Sequence, residues 1–70
     1  MKQITAMMAG IVVEVLVKPG DAIDDSQDVI ILESMKMQLP VQANVAGTVS
    51  EVKVSPGDFV NEGDLLVLLS

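Results

Sequence analysis

Residues 9–32, AGIVVEVLVKPGDAIDDSQDVIIL, and residues 46–69, AGTVSEVKVSPGDFVNEGDLLVLL, align without a gap when the chain is slid along itself by 37 positions. Ala9, Gly10, Val12, Glu14, Val15, Val17, Pro19, Gly20, Asp21 and Leu32 meet identical residues, ten of the twenty-four positions. Conservative matches join them, such as Ile23 with Val60 and Asp25 with Glu62. Two copies are too few for a solenoid, which needs at least three stacked units. They predict one domain whose halves are related by an approximate twofold axis.

Each copy reads as two strands. Residues 11–17 are rich in β-branched side chains, and residues 48–54 alternate polar with apolar, the period of a half-buried strand. Pro-Gly-Asp follows at 19–21 and returns at 56–58. Proline presets φ, glycine enters positive φ freely and aspartate bonds nearby backbone, so this is a turn with a mechanism. Polar residues come next (24–28 and 61–64), then second strands at 29–32 and 65–69. No stretch has helical periodicity over a useful length. The class is all-β: a flattened barrel sandwich of two small antiparallel sheets packed face to face.

The whole chain of 70 residues is read as one domain, 1–70, with no cysteine to staple it. Half of it is apolar, yet Phe59 is the only aromatic, so the core is built from Val, Ile, Leu, Ala and Met. Val12, Val15, Val49 and Val52 are repeat-matched strand positions, some of which must face inward. Phe59, whose repeat partner is Ala22, is expected to fill core volume on one side of the axis.

Ten acidic residues against four lysines give a net charge of −6. Nucleic-acid binding asks for a cationic footprint and stacking aromatics, and anionic membranes ask for basic residues, so neither partner is expected. Glu14 interrupts the apolar run that begins at Ile4, and that run is too short to span a bilayer. The chain is read as soluble, unprocessed and cytoplasmic; a lack of cysteine fits a reducing compartment. The carboxylates Asp21, Asp24, Asp25 and Asp28 lack the alternating spacing of a calcium loop, and Leu32 falls where its bidentate Glu would stand. They are read as solvated turn residues. With no His, no Cys and no phosphate-binding glycine loop, an enzyme is not expected.

Between the copies lies Glu33-Ser34-Met35-Lys36-Met37-Gln38-Leu39. Strand signals on both sides require a reversal here, yet none of these residues is Gly, Pro, Asn or Asp. Tight hairpins need positive φ at their tips, which those four residues supply cheaply. The one turn without turn chemistry is the one where something other than folding selected the residues. Two methionines flank a single lysine; methionine is a soft, adaptable recognition side chain, and a water-exposed amine suits modification by another enzyme better than catalysis. From this window alone, the favoured reading is the plain one, with Lys36 one of four surface lysines and the methionines part of the core.

Glu33-Ser34-Met35-Lys36-Met37 closely resembles the attachment motif of biotin carboxyl carrier domains, in which the lysine between two methionines receives biotin. The resemblance runs through nearly the whole chain: Gly10-Ile11-Val12, Gly20-Asp21, the Met35-Lys36-Met37 tip, Gly47-Thr48-Val49, Gly57-Asp58 and Gly63-Asp64 stand where the family has a glycine before a β run, Gly-Asp turns and a central tip. Free-standing biotin/lipoyl attachment proteins are the most similar members. Two departures stand out. Ala6-Met7-Met8-Ala9-Gly10 replaces a frequent Ala-Pro-Met-Pro-Gly, and Ser34 replaces a frequent alanine. The gapless repeat leaves no room for the protruding thumb that some relatives insert in their first half.

The resemblance implies a non-catalytic carrier. Biotin protein ligase would join biotin to Lys36, with Glu33, Ser34, Met35 and Met37 as the recognition motif. A biotin carboxylase would load a carboxyl group and a carboxyltransferase would pass it on, as subunits or domains of a biotin-dependent carboxylase. Lipoate on the same lysine is the alternative within the family, although Met-Lys-Met favours biotin. An unmodified interaction module is the alternative outside it. Twofold symmetry would place Lys36 at the far end of the domain from the chain termini.

Overall fold

Eight strands make up the fold in the computed structural model, which describes residues 2–70. They are β1 (Lys2–Thr5), β2 (Gly10–Val15), β3 (Ala22–Ile23), β4 (Asp28–Ser34), β5 (Met37–Gln42), β6 (Gly47–Val52), β7 (Phe59–Val60) and β8 (Leu65–Leu69). The order β1-β8-β6-β3 builds one sheet and β5-β4-β2-β7 the other, every pair antiparallel. Advancing by 37 residues carries β2 onto β6, β3 onto β7 and β4 onto β8, while β1 falls on the second half of β5. The second sheet is therefore the first one repeated, and the flattened barrel of two sheets follows from the duplication.

The symmetry reaches individual hydrogen bonds. Gly20 N donates to Val49 O over 2.8 Å, and Gly57 N donates to Val12 O over 2.7 Å. Ser26 N bonds Ala43 O as Gly63 N bonds Ala6 O, at 2.7 and 2.8 Å. These bonds tie the turns of each half to backbone carbonyls of the other, Val49 and Val12 within strands and Ala43 and Ala6 just past them. The register shift between Val12 and Glu14 is matched by one between Val49 and Glu51. Such bulges sharpen strand twist, which curls two small sheets toward a barrel.

Four of the acidic residues have local structural roles. The Asp21 carboxylate accepts from Lys18 N at 3.0 Å, and Asp58 accepts from Ser55 N at 2.8 Å. Asp64 closes the turn at Asn61 at 2.8 Å, while Asp28 accepts from Gln42 Nε2 at 3.1 Å. Side-chain capping of this kind is what Asp contributes to turns.

Inward positions pair across the axis: Ile4 with Val41, Ala6 with Ala43, Val12 with Val49, Ile23 with Val60, Val29 with Leu66, Ile30 with Val67 and Leu32 with Leu69 are all buried. Val15 and Val52 pack half-buried against this core. Phe59 does not join it. The ring is 64% exposed, because Val60 takes the inward place on β7 and alternation turns its neighbour outward. The expectation that Phe59 fills the core is thus overturned. Strand β1 also goes beyond the sequence reading. Its Lys-Gln-Ile-Thr has one buried side chain, too little to show a period.

Candidate functional site

Strands β4 and β5 form the hairpin between the two copies. Their register runs from Asp28 opposite Gln42 to Ser34 opposite Met37, which leaves Met35 and Lys36 as a two-residue loop. Both residues have positive φ, 54° at Met35 and 65° at Lys36. Positive φ at both central residues is the requirement of a type I′ turn, whose twist matches the flanking strands. Asn-Gly ordinarily fills it. For a residue with a Cβ the left-handed region costs roughly 1–2 kcal/mol. The tip is held in that conformation by the β4–β5 ladder beneath it and by β2, which flanks β4 on its other side.

The motif residues divide by direction. Glu33 and Gln38 are cross-strand partners on the outer face of the sheet. Ser34 and Met37 are the next pair and share the side of Leu32 and Leu39, beyond the end of the core. Met35 is 92% exposed and Met37 59%, so neither serves as core packing. Lys36 is exposed as well. Among the described residues no ion pair and no side-chain hydrogen bond engages its amine. By contrast Lys2 Nζ donates to Ala46 O at 2.9 Å and Lys53 Nζ lies 3.1 Å from a Glu51 oxygen. Lys18 has an unengaged amine too, but it belongs to a repeated Pro-Gly-Asp turn whose twin carries Ser55. The tip thus presents an accessible amine.

Lys2 pairs with Leu69, so the beginning and end of the described chain lie side by side. Glu33 has Ser70 as its repeat counterpart, which puts the hairpin and the chain ends on opposite sides of the quasi-twofold axis. On that axis, between edge strands β1 and β5, a depression of about 260 Å³ is lined by the matched pairs Ile4/Val41, Thr5/Gln42 and Met7/Asn44. None of its lining residues belongs to the tip.

Comparison with known proteins gives this geometry a context. The family model described as "Biotin-requiring enzyme" matches residues 2–69. The Biotin/lipoyl attachment protein of Bacillus subtilis is 54% identical over 67 residues, covering 96% of this chain and 92% of that protein. The human mitochondrial Propionyl-CoA carboxylase alpha chain is 52% identical over 63 residues, 90% of this chain but 9% of the relative's length. Among solved structures, the Kluyveromyces lactis urea carboxylase superposes with a TM-score of 0.91 at 28% identity, covering 99% of this chain and 6% of that one. A truncated AcrA from Campylobacter jejuni, with a TM-score of 0.85 over the whole chain and 86% of its own, is 21% identical and shows the fold alone. The chain belongs to the biotin/lipoyl attachment family.

Proposed function

We propose that this chain is a covalent biotin carrier and that Lys36 is the residue that receives the group. One observation supports the reading above the others. The lysine occupies an unfavourable backbone conformation at the tip of a two-residue hairpin, exposed and with no side-chain partner among the described residues, in a chain of a biotin-requiring family. Turn formation alone would favour Asn-Gly there.

Attachment needs a deprotonated Lys36 amine and an activated biotin carboxyl group, which a biotin protein ligase makes with a nucleoside triphosphate. The Nζ–C bond forms, the nucleotide leaves the carbonyl carbon, and the amine proton passes to base or solvent. Once bound, biotin supplies a ring nitrogen that accepts and releases a carboxyl group. The chain itself contributes presentation. A rigid hairpin fixes the root of the arm, and tethering replaces diffusion between a biotin carboxylase site and a carboxyltransferase site by a local search. Similarity to domains within carboxylase chains supports partners of that kind.

Lipoate on the same lysine is a second reading, favoured by the 54% identity to a biotin/lipoyl attachment protein. Competition decides between them. The chain is incubated with a biotin ligase and a lipoate ligase together, each with its substrates, and the Lys36 peptide is analysed by mass spectrometry. Biotin is expected as the dominant adduct; lipoate in its place would overturn the choice of cofactor.

A further inference from the structure

One row of side chains crosses the outer face of the hairpin sheet. Gln38 on β5 is opposite Glu33 on β4, Glu33 is opposite Ile11 on β2, and Ile11 is opposite Phe59 on β7. Directly opposed residues of antiparallel strands project from the same face with Cβ atoms about 5 Å apart. Ile11 is 49% exposed, and its neighbour Phe59 carries the chain's one aromatic ring. Two large apolar side chains therefore stand together in water.

The duplication supplies an internal control. In the other sheet the same two places, with the same register, hold Thr48 and Ala22. A polar residue and a methyl group satisfy the fold there. Nothing in strand pairing or core packing calls for isoleucine and phenylalanine in their place. The asymmetry follows the lysine, because the apolar pair lies on the sheet that carries the hairpin.

Position and charge indicate what covers it. Glu33 is one residue, about 3.4 Å, below Ser34, whose pairing with Met37 closes the two-residue loop that carries Lys36. A standard protein interface buries about 800 Å² per partner, a patch of about 16 Å radius, so a protein closing on the tip from this face reaches Ile11 and Phe59. The four strands of the sheet contribute Glu14, Asp28 and Glu33 and no lysine, leaving Lys36 in the hairpin as the one cation. A complementary surface is an apolar depression bordered by basic side chains.

We propose that Ile11 and Phe59 form the docking patch for the enzyme that joins the cofactor to Lys36. The inference rests on the reading of Lys36 as the acceptor. That enzyme must bring the amine itself to an activated carboxyl group, so its body closes directly on the hairpin and its flank. Enzymes that use the attached group meet it at the end of a flexible arm, which asks less of the surface beside the tip.

Exchange with the twin half makes the test. Ile11→Thr with Phe59→Ala gives this sheet the residues its counterpart already accommodates; Thr48→Ile with Ala22→Phe is the mirrored control. Each chain is labelled by purified biotin protein ligase with biotin and ATP, and initial rates are followed with the site mapped by mass spectrometry. Wild type and the mirrored control are expected to share one KM, whereas the first double variant shows a KM raised about tenfold with kcat unchanged, the size of an interface anchor's loss. Phe59→Lys, which sets a cation against the basic rim, is expected to raise KM more than Phe59→Glu. If wild type is labelled on Lys36 and neither the double variant nor the charge pair moves KM, the docking patch is overturned while the acceptor stands. If wild type takes no label on Lys36, the acceptor reading fails and the patch fails with it. A wild-type dimer that the double variant dissociates, with KM unchanged, would give the patch to a second copy of the chain and overturn the proposal.

Discussion

Gly10 lies against the backbone of Glu33 so closely that a Cβ on residue 10 would stand 2.7 Å from the Glu33 carbonyl oxygen. Strand β2 thus grips the root of the hairpin three residues before Lys36. A Cβ on Gly47, its twin, would stand 3.3 Å from Ser70 O, a looser approach than the 2.7 Å at Gly10. Gly10→Ala is expected to cost about 1–3 kcal/mol, the range of overpacking in a closed site, and Gly47→Ala less. Urea unfolding of the two variants checks the order; an equal or larger loss at Gly47 would contradict it. Gly10→Ala is also expected to slow attachment at Lys36, since the carbonyl that must move belongs to the hairpin strand.

Ser26 has a φ of 70° where its repeat counterpart Gly63 has 89°. The turn geometry is the same, and the first half bears a Cβ in a left-handed conformation. Ser26→Gly is expected to stabilise the fold by about 0.5–1 kcal/mol, the left-handed penalty less the added entropy of glycine in the unfolded chain. A raised denaturant midpoint with an unchanged m-value is the signature.

The tip offers a similar gain with a functional consequence. Met35→Asn keeps Lys36 and supplies a residue that tolerates positive φ, so a stabilisation of about 0.5–1 kcal/mol is expected. Replacing both residues with Asn-Gly is expected to stabilise further and to leave nothing to label. Thermal melts of the three chains test whether the native tip carries backbone strain. A native tip more stable than Asn-Gly would show that it does not.

Core and surface separate cleanly in the expected losses. Val12→Ala and Val49→Ala remove two methyl groups from fully buried twins and are expected to cost about 1–3 kcal/mol each. Met35→Leu and Phe59→Ala act on exposed side chains and are expected to stay within about 0.5 kcal/mol. A Phe59→Ala loss as large as that at Val12 would return the ring to the core.

Most of the architecture is legible in the sequence, because the duplication is written in the residues. Two occurrences of Pro-Gly-Asp marked the repeated turns, and Met35-Lys36 stood out by lacking turn residues. At Phe59 the sequence expectation and the structure differ, although the repeat holds the signal. Ile23 and Val60 are the bulky apolar match, and alternation then sends Ala22 and Phe59 outward together. Strand β1 is not legible in the sequence for a different reason. Four residues with one inward side chain have no detectable period, and their pairing with β8 is a long-range contact that local pattern does not encode. The approach of Gly10 to Glu33 is likewise a tertiary fact.

On the proposed reading, one amine of this chain, that of Lys36, receives the cofactor. Its most direct test is site-resolved labelling by biotin protein ligase of the wild-type chain beside Lys36→Arg, a variant that keeps the charge but cannot form the amide. One biotin per wild-type chain, confined to the Lys36 peptide, and none on the folded variant is the predicted result. Biotin on Lys2, Lys18 or Lys53 of the wild type, or label persisting in Lys36→Arg, would contradict it.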